Sequence, residues 1–333
     1  MSAEKIVSDW KNKNFKSIYW LEGEEDYYID QVMDHAEHGI LTEAEAGFNL
    51  SVFYGKDAEW PAVVNACMRY PMFAERQVVL LKEAQHMRDL DKLESYLEHP
   101  LSSTIFVAGY KGKTLDRRTR LYKLLKESAV IFSSEKLKDY KLPQWITEFV
   151  QSKGYKISPK AVGLLSEHIG NDLSRISNEI EKLALNLKGK KEITEDDIET
   201  YIGISKDYNV FELQSAIAKK DLAKAMTIIL YFEGNLKAGA IQMVLPALYS
   251  SFSKIYTVFG MNDRSESVLR PYFYNNPIAV KNALETINNY GYDGIESILL
   301  LLHQYNLKGV GVGDTGTPDA SLLKEMVVKM VNR

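Results

Sequence analysis

Cysteine is almost missing from this chain: Cys67 stands alone among 333 residues. One thiol excludes an intrachain disulfide and a cysteine-built zinc module, and it points to a reducing compartment. Long apolar runs are missing too. The longest, Ile298-Leu299-Leu300-Leu301-Leu302, falls far short of the roughly 20 residues that span a bilayer. The first sixteen residues are polar, carry four lysines and lack the apolar segment of a secretory leader. Nor is there an excess of positive charge. Lys and Arg number 41 against 45 Asp and Glu, a net charge of −4, so any contact with nucleic acid must come from a local patch. The chain also lacks internal repeats and low-complexity tracts. These absences lead us to expect a soluble cytoplasmic protein with no membrane association.

A further absence is more specific. The apolar stretch Ser17-Ile18-Tyr19-Trp20-Leu21 runs into Gly23-Glu24-Glu25-Asp26 and then a helical pattern from Tyr27. Strand, glycine turn and helix in that order frame a phosphate-binding loop, whose backbone amides and terminal Gly-Lys-Ser/Thr cradle phosphates. Here three consecutive carboxylates stand at the turn and would repel a triphosphate. A decoy lies further on. Gly112-Lys113-Thr114 has the right ending, but the glycine required five positions earlier is Val107, and Gly109 would make the loop two residues too short. The end of the apolar run Val78-Val79-Leu80-Leu81 is where an ATPase keeps its magnesium-binding carboxylate, and it carries Lys82, with Glu83 alone beyond it. No nucleotide or metal cofactor is expected.

What is present suggests three parts. Over 1–140, short apolar segments at 17–21, 50–54, 77–81, 104–108 and 129–133 alternate with helical patterns, the signature of a parallel sheet covered by helices. Over 141–207 no comparable strand appears. Leu142, Trp145, Ile146, Phe149 and Val150 share one helical face. Ser158-Pro159 marks a second helix start, and Asp172 a third, with Leu173, Ile176, Ile180, Leu183, Ala184 and Leu187 as its apolar face. Thr194 with Asp197 marks a fourth. After a linker at 203–208, Asn209 with Glu212 opens a helical region over 208–333. Apolar-periodic stretches at 236–260, 277–289, 293–307 and 319–332 there should bundle. With 45% hydrophobic residues the chain can fill separate cores.

Several segments, in this order and spacing, resemble the delta subunit of the bacterial replicative clamp loader, the DNA polymerase III delta family. They are Gly23-Glu24-Glu25-Asp26-Tyr27-Tyr28-Ile29, Pro71-Met72-Phe73-Ala74-Glu75-Arg76-Gln77-Val78-Val79 and Leu115-Asp116-Arg117-Arg118 running into Leu121-Tyr122-Lys123-Leu124-Leu125. Gly170-Asn171-Asp172-Leu173, Asn178-Glu179-Ile180-Glu181-Lys182-Leu183 and Asn209-Val210-Phe211-Glu212-Leu213 complete the set. The resemblance covers nearly the whole chain. It implies an AAA+-like α/β domain, a helical lid and a C-terminal helical collar. It also implies an accessory polymerase subunit that binds and helps open the sliding clamp near primed DNA, while partner subunits joined through the collar hydrolyse ATP.

The resemblance changes how single residues read. By themselves, Met72 and Phe73 at a helix-to-strand corner read as a plug for the sheet. The resemblance makes them the anchor that enters an apolar pocket of the clamp, with Arg69, Tyr70, Glu75 and Arg76 as its rim. The run Lys111, Lys113, Arg117, Arg118 and Arg120 reads either as a solvated face or as a contact for DNA phosphates or a neighbouring subunit. Arg175 stands where active relatives sense phosphate, and an ion pair with Asp172 or Glu179 suits it better here. Gly311, Gly313 and Gly316 spell G-x-G-x-x-G after a helix rather than a strand, so the dinucleotide mechanism lacks its context. His35 and His38 lack a third metal ligand. Cys67 lacks an activating base, and no catalytic set emerges. Two other readings stay open: an interaction protein of similar shape for another partner, and an active P-loop ATPase.

Overall fold

The computed structural model describes every residue except 1, 188, 236–239, 262, 274–275 and 315. It divides into two compact units, Met1–Leu137 and Lys138–Arg333. In the first, strands β1 (Ile18–Gly23), β2 (Leu50–Tyr54), β3 (Gln77–Lys82), β4 (Thr104–Lys111) and β5 (Val130–Ser134) form one sheet in the order β2-β3-β4-β1-β5. Every pairing is parallel, and Trp20 of β1 stands between Ala108 and Ile131. This is the parallel sheet expected over 1–140. β1 lies between β4 and β5, so the turn that follows it opens at the carboxyl end of the sheet's central strands, where open α/β sheets hold ligands.

The two-residue period sorts the buried side chains. Ile18, Trp20, Val79, Leu81, Phe106 and Ala108 point to one face, where they meet Val63 and Ala66 of α4 (Trp60–Cys67), with Tyr96, Leu121 and Leu125. Tyr19, Leu21, Val78, Leu80, Ile105 and Val107 point to the other. There they meet Ile6 and Trp10 of α1 (Ala3–Lys11) and Ile29, Val32 and Met33 of α2 (Asp26–His38). Covering both faces is why these strands read as continuous apolar runs rather than alternating ones. Each such aliphatic side chain contributes about 1.5–3 kcal/mol when fully withdrawn from water. Helix α3 (Glu43–Asn49) starts at a capping box in which Thr42 and Glu45 satisfy each other.

Among its described residues the second unit is helical apart from one short parallel pair, Lys156–Ile157 beside Glu192–Ile193, each too brief to show as an apolar run. The expected starts are present. Ser158 Oγ accepts the Ala161 amide at 3.1 Å, Asp172 that of Arg175 at 2.9 Å and Asn209 that of Glu212 at 3.0 Å. Thr194 donates its amide to Asp197 at 2.8 Å. Of the stretch expected over 236–260, residues 236–239 lie outside those described, and the helix runs Ile241–Val258. The two helices expected after residue 277 are continuous over Pro277–Gly309 but break direction at Gly291, whose φ of 61° suits glycine. Among the described residues no helix is long and apolar enough to cross a membrane.

Candidate functional site

The turn after β1 is closed from within. Gly23 has φ +132°, and a Cβ there would sit 2.0 Å from the Ser134 carbonyl oxygen, so only glycine lets the turn lie against β5. Its amide donates to the Lys113 carbonyl at 3.1 Å, and the Glu24 amide donates to the Ser134 carbonyl at 3.1 Å. These are amides that a phosphate loop would aim at its ligand. The decoy Gly112-Lys113-Thr114 therefore lies against the turn and supplies an acceptor to it. Glu22, buried, fixes the segment that follows: its Oε2 accepts the Trp20 indole N–H at 2.9 Å and the Leu115 amide at 3.0 Å. Beyond the turn, Glu25 is also buried, with Lys136 Nζ 3.2 Å from its Oε2, and Asp26 opens α2. Carboxylates of the chain itself thus occupy the positive end of that helix.

At the end of β3, Lys82 pairs with Glu37 of α2 and lies 5.8 Å from the Tyr54 ring centre. Burial works to lower the Lys82 pKa, but the Glu37 hydrogen bond and charge leave it raised, so the lysine stays cationic. A cation held at this place cannot ligate magnesium.

The corner between α4 and β3 has the opposite character, because its apolar side chains face water. Phe73 is 93% exposed, Met72 54% and Tyr70 76%, and Met68 beside them is 49% exposed. The plug reading of this pair is therefore wrong: the sheet is filled by its own strands, and Phe73 reaches past it. Phe73 also holds φ +53°, a left-handed conformation that is rare for an aromatic residue and costs about 1 kcal/mol or more. The corner is tied down from behind. Gln77, buried at the start of β3, donates its side-chain amide to the Arg69 carbonyl and, at 2.8 Å, to Thr104 Oγ1. Thr104 passes its own proton to the Cys67 carbonyl at 2.8 Å. Buried Asn49, the last residue of α3, accepts the Met72 amide at 2.7 Å and donates to the Met72 carbonyl at 2.8 Å. Arg69, Tyr70 and Glu75 are exposed around the pair. Arg76 instead turns inward, over the Phe15 ring and onto the Ser102 carbonyl at 3.1 Å.

Sequence reasoning singled out Met72 and Phe73 but missed Asn49 and Gln77. Gln77 stood in a quoted segment without a role of its own, and Asn49, which lies in none, is 23 residues away from the backbone it grips.

The basic run is largely neutralised locally. Lys111 pairs with Asp30, Arg118 with Asp116 at 2.7 Å, and Arg120 with both Glu94 and Glu98. Lys113 lies over the Tyr110 ring, and Arg117 is exposed. Three of the five cations thus face four carboxylates, Asp30, Asp116, Glu94 and Glu98. The ion pair expected for Arg175 is not formed among the described residues: Asp172 accepts its backbone amide instead, and Glu179 pairs with Lys182 at 2.7 Å. His35 stacks on Trp10 while His38 turns to Asp34, so the two do not converge. Among the described residues no cluster of His, Cys, Asp or Glu is arranged for a metal. Burial pushes the Cys67 thiol far up, which makes it inert. Gly311 and Gly313 lie in the loop after helix 277–309. A cavity of about 600 Å³ in the second unit, lined by Leu142, Val162, Gln214 and Ile255 among others, holds none of the candidate residues.

Residues 19–135 match the family model described as DNA polymerase III, delta subunit. The DNA polymerase III subunit delta of Bacillus subtilis (strain 168) is 24% identical over 324 residues, which covers 93% of this chain and 91% of that protein. The probable DNA polymerase III subunit delta of Aquifex aeolicus (strain VF5) is 23% identical over 266 residues, 75% of this chain and 73% of that one. The solved structure of the Bacillus subtilis DNA clamp loader delta protein (YqeN) shares the fold. Its TM-score is 0.58 at 21% identity, over 99% of this chain and 100% of that chain.

Proposed function

From its membership of the DNA polymerase III delta subunit family, we propose that this chain is a clamp-loader subunit that docks on the sliding clamp and helps to open it. The observation that carries this reading is the exposed anchor: Phe73, 93% exposed in a left-handed backbone, with Met72 beside it. A side chain of that size in water and in a costly conformation gains by entering an apolar pocket. Arg69, Tyr70 and Glu75 would form the rim, where charge adjusts the rate of encounter more than the strength of the complex. Arg76, engaged with Phe15 and Ser102, would chiefly stiffen the corner.

Docking alone opens nothing. The chain must bind the open clamp better than the closed one, and anchor energy of a few kcal/mol is the amount that shifts such a two-state ring. The work of ATP falls to other subunits, because the amides and helix end that would receive phosphate are occupied by Lys113, Ser134, Glu25 and Asp26. Residues 141–207 would act as the lid and 208–333 as the collar that joins those subunits. Leu230, Tyr249 and Leu300 lie exposed on collar helices and suit such packing. Primed DNA would be met within the assembly, with Arg117 the least committed cation of the basic run. The cytoplasm is where such an assembly works. Titration of the purified chain with the sliding clamp of its own organism tests the proposal, and absence of binding would overturn it.

A further inference from the structure

The anchor corner needs a device that holds it in its costly shape, and one residue is placed to do so. We infer that Asn49 is a positioning residue for clamp docking: it keeps the 68–76 corner in the conformation in which Phe73 projects. The inference rests on the docking reading above. Asn49 is buried, yet its side chain spends its hydrogen bonds on backbone rather than on the core. Its oxygen accepts the Met72 amide at 2.7 Å, and its nitrogen donates to the Met72 carbonyl at 2.8 Å and to the Glu45 carbonyl at 3.0 Å. The first two bonds copy one rung of a β ladder and fix both sides of the residue just before the left-handed turn at Phe73. The third ties that grip to the last turn of α3, whose start is fixed by the Thr42–Glu45 box. With Gln77 holding Arg69 from the strand side, the corner is braced from two elements, α3 and β3.

Without this brace the chain at Met72 and Phe73 relaxes toward ordinary extended or helical backbone, which the left-handed penalty favours. Phe73 then projects correctly in only a fraction of molecules, and apparent affinity falls by that fraction. Asn49 need not touch the clamp for this to happen. Such preorganisation raises affinity by reducing the ordering required at the moment of binding.

The test measures clamp affinity together with backbone amide hydrogen exchange across residues 68–111, in the full chain. Asn49→Ala should weaken clamp binding by about tenfold or more and speed exchange at the Met72 amide, while amides of β3 and β4 keep their protection. Asn49→Asp keeps an acceptor for the Met72 amide and loses the donor, so it should fall between wild type and alanine in both readouts. Wild-type affinity in Asn49→Ala overturns the positioning role alone. Weakened binding with unchanged exchange at Met72 overturns it as well, since Asn49 would then act by direct contact. Failure of the wild type to bind any clamp removes the docking reading, and this inference with it.

Discussion

Replacing Met72 and Phe73 together by alanine separates docking from folding. Phe73 is 93% exposed and Met72 54%, so nearly all of one side chain and half of the other are free to be buried by a partner. Complete burial of a phenylalanine or methionine is worth about 1.5–3 kcal/mol. Scaled by these exposures the pair supplies about 2–4 kcal/mol to a complex. At about 1.4 kcal/mol per decade, the double mutant should bind the clamp about thirty- to a thousand-fold more weakly. The effect on the fold should be small. Neither side chain fills the sheet, alanine at position 73 bears the same left-handed backbone, and exposed substitutions usually change stability within about 0.5 kcal/mol. Calorimetric or surface-binding titration against the clamp, run beside thermal melting, reads both quantities. A melting loss worth 2–5 kcal/mol, the scale of emptied core sites, would mean the pair packs inside after all. Unchanged clamp affinity would refute the anchor outright.

Other substitutions probe the frame around the anchor. Phe73→Asn, which tolerates the left-handed backbone, should leave the melting temperature equal to or above wild type while clamp binding is lost. Gly23→Ala should destabilise by about 2–4 kcal/mol, because its Cβ would strike the Ser134 backbone; a melt within a degree of wild type would show that the turn yields. Glu22→Ala strands the Trp20 indole and the Leu115 amide, and denaturant titration should show a loss of about 2–4 kcal/mol. Acid should weaken the fold through His35, whose pKa is lowered by burial against Trp10 and then by the Lys11 charge. Below about 6.5 the unfolded chain takes up a proton that the folded one resists. Stability is therefore full above that value and falls as pH drops through it, toward the lower folded pKa. His35→Phe, which keeps a stacked ring, should make chemical denaturation less dependent on pH between 7.5 and 5.5.

Much of this was legible in the sequence for a physical reason. Strands covered on both faces must be apolar at every position, so Ile18 to Leu21 and Val78 to Leu81 announce themselves, and helix starts at Ser158, Asp172 and Asn209 depend on residues three positions apart. The inward-bonded turn after β1 was foreshadowed by Glu24 and Glu25, whose charge repels phosphate, and Lys82 stood out because a cation replaces the carboxylate that would bind magnesium there. What stayed hidden depends on long-range pairing. The two-residue strands at 156 and 192 are fixed by each other, the grip of Asn49 on Met72 joins α3 to a distant corner, and a left-handed phenylalanine leaves no local sign. The ion pairs within the basic run were hidden too, since the carboxylates that neutralise Lys111 and Arg120 come from elsewhere in the chain.

The turn after β1 and the corner before β3 show one exchange of roles. At the turn, groups that an ATPase directs outward are bonded inward: Gly23 and Glu24 give their amides to Lys113 and Ser134. At the corner, groups that a core would draw inward are directed outward, and buried polar residues hold them there. Asn49, Gln77 and Thr104 give up side-chain hydrogen bonds to backbone so that Met72 and Phe73 can stay in water. Burying polar groups for this purpose is stabilising only when every bond is made. The corner is therefore braced from behind while its apolar side chains face water. Under the proposed docking, such an anchor would need little ordering at the moment of binding, which is where preorganisation raises affinity.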